Sequence, residues 1–181
     1  DLLGPEETKI AGLKQPILDV LHNEEPVTHR KEGETLNLKG ETPVATGELK
    51  PGGGWQTIQF NRPVEGRYFC LEALNAHDGK DLAAIAELYL TDENGQKWSI
   101  TYADSESYQW SNNTADKIYD LQESTTWCTD YGTKFPHSII IDLKDNHKIT
   151  GFRCLPSSEE ETPAAIKGFK AYVKKEPFKL K

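Results

Sequence analysis

The sequence has no methionine, few cysteines and no long apolar run. Its longest apolar runs are about five residues, whereas a helix that crosses a membrane needs about 20. A transmembrane helix is therefore excluded. Basic residues are also in deficit, because 21 Lys and Arg stand against 29 Asp and Glu, for a net charge of −8. An acidic surface repels phosphate backbones, so this balance argues against nucleic-acid binding.

The three cysteines, Cys70, Cys128 and Cys154, contain no CxxC pair, which argues against a zinc site. At most one disulfide can form, and Cys128 with Cys154 is the first pair to consider. The alternative is that all three are small buried thiols, as free cysteines commonly are.

Seven short segments show the alternating or continuous apolar pattern of β-strands, and each is bounded by Gly, Pro, Asn or Asp. No stretch longer than ten residues has clear helical periodicity. Many short strands at this spacing predict an all-β fold, an antiparallel β-sandwich. The predicted strands are WQTIQF (55–60), RYFCLEAL (67–74), AIAELYL (84–90), WSITY (98–102), SIIIDL (138–143), ITGFRCL (149–155) and FKAYV (169–173).

The segment Asp92–Gly95 predicts a tight turn, with 98–102 as the return strand of a hairpin. Residues 1–40 are interpreted as a lead-in that packs one or two edge strands on the remainder of the chain, with apolar stretches at 15–21 and 35–38. Residues 177–181 are interpreted as a C-terminal tail. Because the chain begins at Asp1, we expect it to be a piece of a longer protein.

The sequence carries no recognisable catalytic motif. It has no HExxH, no Walker loop, no GxGxxG and no nucleophile elbow, and its five histidines have no metal-ligand spacing. The acidic run Glu159–Glu161 is most simply a solvated loop. We therefore expect a domain that is not an enzyme.

Two stretches nevertheless form an ordered pattern. TADKIYDLQESTTWCT (114–129) and PHSIIIDLKDNHKITGFRCLP (136–156), followed by IKGFKAYV (166–173), resemble the first half of an F5/8 type C (discoidin-like) domain, the fold of family 32 carbohydrate-binding modules. The second half resembles four earlier segments, which come first here: PVATGEL (43–49), WQTIQF (55–60), RPVEGRYFCLEAL (62–74) and AAIAELYL (83–90).

This resemblance implies one circularly permuted, galactose-binding-domain-like jelly-roll over residues 41–176. The alternative is two half-domains from tandem modules, although the length favours one copy. The order is similar to that of modules at the C-terminus of bacterial exo-glycosidases, including chitobiase-type hexosaminidases and fucosidases. It implies an extracellular or periplasmic location. In a sandwich whose ends lie close together, swapping the halves costs little.

The resemblance also implies one structural Ca²⁺, with Asp120, Thr125 and Glu87 at the matching positions. Oxygen ligands of this kind suit a hard cation. The usual Gly is Leu121 here, and a frequent Asp is Gln122. In the alternative interpretation, Asp120 caps its own loop, while Glu87 accepts a backbone hydrogen bond or pairs with Lys117.

Galactose-binding members of the family use a His directly after the Trp and an Arg at the end of L-P-R. Cys128 and Ser157 occupy these positions, so galactose specificity does not carry over. We expect a saccharide to stack on Trp110 and Tyr131, with Glu106 and Asp130 accepting its hydroxyl hydrogen bonds. Alternatively, Trp110 plugs the end of the sandwich. The Trp at the family's fixed position, Trp127, is expected in the core.

The leading expectation is a non-catalytic accessory module that weakly binds glycan ends and keeps a covalently linked catalytic domain near its substrate. The alternative is a structural spacer that packs on the catalytic domain and binds no sugar. The partners are then a glycan and the catalytic domain of the same polypeptide.

Overall fold

The computed structural model describes residues 29–156 and 163–181. The predicted apolar stretch at 15–21, the family position at Ser157 and the acidic run Glu159–Glu161 lie outside these residues. Within the described part, the chain forms eight strands and one short 3-10 helix at Ala115–Tyr119. The strands are β1 (Ala45–Glu48), β2 (Gln56–Ala73), β3 (Ala84–Ile85), β4 (Glu87–Thr91), β5 (Tyr102–Ser105), β6 (Trp127–Cys128), β7 (His137–Leu155) and β8 (Gly168–Lys174).

All the paired strands are antiparallel, so the all-β antiparallel prediction is confirmed. The main sheet has the order β1-β8-β2-β7-β4, with β5 also paired to β7, and β3 pairs with β6 in a small second sheet. No helix in the described ranges is long and apolar enough to cross a membrane.

Two long strands, β2 and β7, give the sheet its sandwich form. The sequence predicts two separate strands where the structure has β2, and two where it has β7. Each is instead one continuous strand that bends where the β2–β7 register shifts. One half pairs β2 residues 68–73 with β7 residues 137–142, and the other pairs 56–59 with 151–154. The core lies between these halves.

Aromatic rings fill that core. Phe152, in the half formed by 56–59 and 151–154, lies 5.5 Å from Phe69 and 5.5 Å from Phe169, centroid to centroid. Phe69 belongs to the other half, and Phe169 is in β8, which pairs with that half. The continuous apolar pattern of 67–74 has a simple cause. Phe69 and Leu71 face this core, whereas Tyr68 and Cys70 face a second buried cluster.

The ends of the described chain cover that second cluster. Leu36 forms an isolated antiparallel bridge with Leu180, and Phe178 is only 5 % exposed. The expected edge strand at 35–38 is thus reduced to one bridge. Part of the expected tail is buried against Tyr172 and its neighbours.

The predicted hairpin is only partly correct. Asp92 Oδ1 accepts hydrogen bonds from the backbone N–H groups of Asn94 and Gln96, as a tight turn requires. Of the predicted return strand 98–102, however, only Tyr102 lies in a strand, and that strand pairs with β7. The start of the segment still pairs with β4, since Trp98 N–H donates to the Leu90 carbonyl at 2.9 Å and Thr91 and Lys97 form an isolated antiparallel bridge. The Trp98 indole donates to the Lys148 carbonyl of β7 at 3.0 Å.

All three cysteines are buried free thiols, so the Cys128–Cys154 disulfide is not formed. Burial raises the pKa of the Cys128 thiol to about 11 and that of the Cys154 thiol to about 12. Protonated thiols are poor nucleophiles, so these cysteines act as packing groups.

Candidate functional site

Two polar loops adjoin at one end of the sandwich, one after β5 and one after β6. The Gln109 N–H donates to the Cys128 carbonyl at 2.9 Å, and the Asp130 N–H donates to Ser107 Oγ at 3.1 Å. Trp127 is 1 % exposed, and its indole donates to the Ser107 carbonyl. The expectation that Trp127 is a core residue is confirmed, and the same residue anchors the first loop.

Each loop presents one aromatic ring to solvent. Trp110 is 62 % exposed and Tyr131 is 63 % exposed. Local hydrogen bonds shape both positions, since Asn113 N–H donates to the Trp110 carbonyl and Asp130 Oδ1 accepts from Tyr131 N–H. An exposure this large is inconsistent with Trp110 plugging the sandwich. It leaves a flat apolar surface open to a ligand.

Glu106 is placed differently from what the sequence suggests. It is 7 % exposed, its Oε1 lies 2.7 Å from His137 Nδ1, and its Oε2 accepts a hydrogen bond from Ser138 N–H at 3.0 Å. Arg30 Nη1 lies 3.7 Å from the same Oε2. Both carboxylate oxygens of Glu106 are thus engaged inside the protein, so Glu106 is not available to a sugar, in contrast to the expectation from the sequence.

Asp130 stays a candidate, since it is half-buried beside Tyr131 and its Oδ1 accepts a hydrogen bond from the Tyr131 N–H. A groove of about 350 Å³ also borders the first loop. Its walls include Tyr108, Tyr102 and Glu32. No local pattern in the sequence predicts this groove, because Glu32 comes from the lead-in and packs against residues far along the chain.

The three residues at the expected calcium positions lie together. Glu87 opens β4, and its carboxyl group shares a hydrogen bond with Asp120, the residue that follows the 3-10 helix. Thr125 Oγ1 donates to Asp120 Oδ2, and Gln122 N–H donates to Asp120 Oδ1 at 3.0 Å. Asp120 therefore does cap its own loop. Lys117 pairs with Asp116 rather than with Glu87.

The two carboxyl groups respond oppositely to this arrangement. Burial, the hydrogen bond to Asp120 and the charge of Asp120 raise the pKa of Glu87 to about 8. Burial opposes ionisation of Asp120 as well, but hydrogen bonds from Thr125 and Glu87 outweigh it and lower the pKa of Asp120. Without a cation, the pair shares one proton at neutral pH.

The donor set fits a calcium ion. It offers two carboxylates and a hydroxyl, and the buried Glu87 Oε1 has no hydrogen-bond partner. Over residues 29–156 and 163–181, no group of three or more His, Cys, Asp or Glu side chains is placed to hold a metal. Hydroxyl and carbonyl oxygens would therefore have to complete the coordination. Calcium binding at Glu87, Asp120 and Thr125 stays a proposal.

Leu121 stands where the discoidin-like domains that the sequence resembles have Gly. Its φ is +62°, in the left-handed region that glycine adopts readily. Its side chain is 75 % exposed, so little packing offsets the backbone cost. The loop keeps the glycine conformation without the glycine.

No protein-family model matches the chain, and no curated protein is similar enough in sequence to match it. The resemblance to discoidin-like domains therefore rests on the sequence motifs themselves, and the function that the resemblance implies is a proposal.

Proposed function

We propose that this domain is a non-catalytic carbohydrate-binding module that binds glycan ends through Trp110 and Tyr131. One observation carries the proposal. Of the aromatic side chains in the described residues, these two are the ones with more than half of their surface in water, and they lie on adjoining loops. Exposed rings cost free energy in water, and stacking on the C–H face of a sugar offsets that cost.

The polar groups beside the rings suit a weak site. Asp130 can accept a hydroxyl hydrogen bond, and both rings have more than half of their surface in water. A shallow site with one or two rings implies a Kd of about 0.1–1 mM. A tethered module gains from such affinity through effective concentration, because it keeps its linked catalytic domain close to the substrate.

The motifs support a parent protein that is a secreted or periplasmic bacterial glycoside hydrolase, such as a chitobiase-type hexosaminidase or a fucosidase. The ends of the described chain support the circular permutation. Asn37 N–H donates to the Lys179 carbonyl at 2.8 Å, and Lys181 N–H donates to the Thr35 carbonyl at 3.0 Å. Ends that lie side by side can be joined at little cost when the 92–95 turn is opened.

The test is a titration with neutral monosaccharides and oligosaccharides, followed by tryptophan fluorescence. A saturable change in the wild-type domain that Trp110→Ala abolishes supports the proposal. Trp110→Phe is the matched control, since it keeps a ring and should keep most of the binding. If no glycan produces a response, the proposal fails. Turnover of aryl glycosides by the domain alone would contradict its non-catalytic character.

The second candidate is a structural spacer that packs on the catalytic domain. The observation in its favour is Cys128, which stands where galactose-binding members have a His and is 9 % exposed. This candidate predicts that neither the wild-type domain nor Trp110→Ala responds to any glycan. It also predicts that Trp110→Ala changes the association of the domain with its parent enzyme.

A further inference from the structure

A second aromatic surface lies on the outer face of β4, away from the core-facing side chains Leu88 and Leu90. Tyr89 belongs to β4 and Trp55 directly precedes β2, and their ring centroids are 5.2 Å apart with an interplanar angle of 53°. Trp55 is 36 % exposed. Its ring is therefore open to solvent while resting on a strand of the sandwich.

The two rings are held in place from several sides. Trp55 Nε1 donates to Glu123 Oε1 at 3.0 Å. The guanidinium of Arg153 lies 5.0 Å from the Trp55 ring centre, and its Nη1 donates to Tyr89 Oη at 2.7 Å. Arg153 Nε also donates to Thr57 Oγ1 at 3.1 Å. A surface fixed in this way loses little side-chain entropy when a ligand binds.

A groove is lined by these two rings. A cavity of about 420 Å³ is lined by Trp55, Glu87, Tyr89, Lys97 and Glu123, and Leu121 covers one side. A second cavity of about 240 Å³ shares Glu87, Tyr89, Lys97 and Leu121 with the first, so the two adjoin. Small-ligand sites typically enclose about 300–1,000 Å³, so this groove has room for a sugar ring.

The polar groups in the groove carry both signs. Lys97 supplies hydrogen-bond donors and Glu123 supplies acceptors. In the part of the chain that the structure describes, neither forms a salt bridge. Besides the buried Glu87 carboxyl group, the lining holds one cation and one exposed carboxylate beside aromatic walls. Such a mixture of donors and acceptors favours a neutral ligand with many hydroxyl groups over an ion of either sign.

We propose that the groove formed by Trp55, Tyr89, Lys97 and Glu123 is a second saccharide-binding site, specific for neutral sugars and separate from the Trp110–Tyr131 loops. The sugar ring packs on the exposed part of Trp55, the Lys97 ammonium donates to one hydroxyl oxygen, and the Glu123 carboxylate accepts from another. The two sites share no residue, so each can exist without the other.

The test uses the indole N–H resonances of the intact domain in two-dimensional ¹H–¹⁵N NMR. The chain has four tryptophans, so four indole signals are expected, and Trp55→Phe and Trp110→Phe assign two of them. Methyl glycosides of glucose, galactose and N-acetylglucosamine are titrated to high millimolar concentration. The proposal predicts that the Trp55 signal shifts saturably with at least one sugar, with or without Trp110.

Two side-chain variants examine the groove without removing its ring. Lys97→Ala and Glu123→Gln should each weaken the titration of the Trp55 signal, by about tenfold for Lys97→Ala, since a hydrogen bond to a charged group is lost. Lys148→Ala is the control, because that exposed lysine pairs with Glu93 outside the groove. Thermal midpoints confirm that each variant is folded.

The outcomes separate the two sites. If the Trp110 signal shifts and the Trp55 signal does not, the groove proposal is overturned and the loop site stands. If only the Trp55 signal shifts, the groove proposal stands and the loop site is overturned. Glucuronic acid binding ten times more tightly than glucose at the groove would overturn its neutral specificity, and no shift with any sugar would overturn both sites.

Discussion

Arg30 Nε lies 2.8 Å from Asp104 Oδ1, so a residue of the lead-in is bonded to β5 across 74 positions of sequence. The Arg30 side chain is completely buried, and it also donates to Ser138 Oγ at 2.7 Å and to the Ser138 carbonyl at 2.9 Å. Burial raises the pKa of Asp104, although Arg30 opposes this shift. The buried guanidinium of Arg30 therefore holds the lead-in against β5 and β7.

Replacing Arg30 with Ala should lower the free energy of unfolding by about 3–5 kcal/mol, because Asp104 and Glu106 then lose their buried cation. Urea denaturation measures the change. Arg62→Ala is the control, since Arg62 is exposed on β2 and its loss should matter little. A loss below about 1 kcal/mol for Arg30→Ala would show that the lead-in does not contribute to the fold in this way.

Replacing Leu121 with Gly should raise the free energy of unfolding by about 0.5–1 kcal/mol. The left-handed conformation costs a non-glycine residue about 1–2 kcal/mol, and glycine removes this cost. The greater conformational freedom of glycine in the unfolded chain offsets part of the resulting increase in stability. Leu121→Ala keeps the Cβ and should give no increase. The thermal midpoint reports both changes, and a lower midpoint for Leu121→Gly than for Leu121→Ala would contradict the account.

Calcium should stabilise the domain if Glu87, Asp120 and Thr125 bind it. At a calcium concentration of about 100 times Kd, mass action contributes about 2.7 kcal/mol, or about 5–10 °C in the thermal midpoint. Asp120→Asn should remove this increment. Asp116→Asn, in the 3-10 helix that precedes Asp120, should keep it. Identical midpoints in calcium and in chelator for the wild-type domain would eliminate the proposed ion.

Without calcium, the stability of the domain should depend on the protonation of Glu87. Its pKa rises from 4.5 to about 8 in the folded state, so the native protein holds a proton that the unfolded chain has already lost between these values. The stabilisation is complete below pH 4.5 and is lost as the pH rises through 8. Glu87→Gln should remove this part of the profile. An unchanged slope from about pH 5 to about pH 8 in the variant would contradict the assignment.

The sequence predicts the apolar strands well, because side-chain alternation is a local property. It does not predict that 55–60 and 67–74 belong to one strand. That outcome depends on the pairing of β2 with β7 on both sides of the register shifts. At one of these pairs, a Cβ on Gly151 would clash with the Ile58 carbonyl oxygen. This close approach of two backbones involves residues far apart in sequence.

The candidate site shows the same division. Exposure of Trp110 and Tyr131 is expected of aromatic residues in polar loops, which the sequence displays directly. The role of Glu106 is not expected, because it depends on Arg30 and His137 coming together from distant parts of the chain. Only the order of the family motifs predicts that Glu87 and Asp120 meet, since their spacing of 33 positions (87 to 120) indicates no contact.

The central claim is that exposed rings on the two adjoining loops bind a sugar. Isothermal titration of the best-binding glycan into the wild-type domain, Trp110→Phe, Trp110→Ala and Tyr131→Ala tests it most directly. The account predicts a millimolar or submillimolar Kd for the wild-type domain, near-wild-type binding for Trp110→Phe and at least tenfold weaker binding for the loop site of Trp110→Ala. Equal affinity of Trp110→Ala and the wild-type domain for every glycan would contradict it.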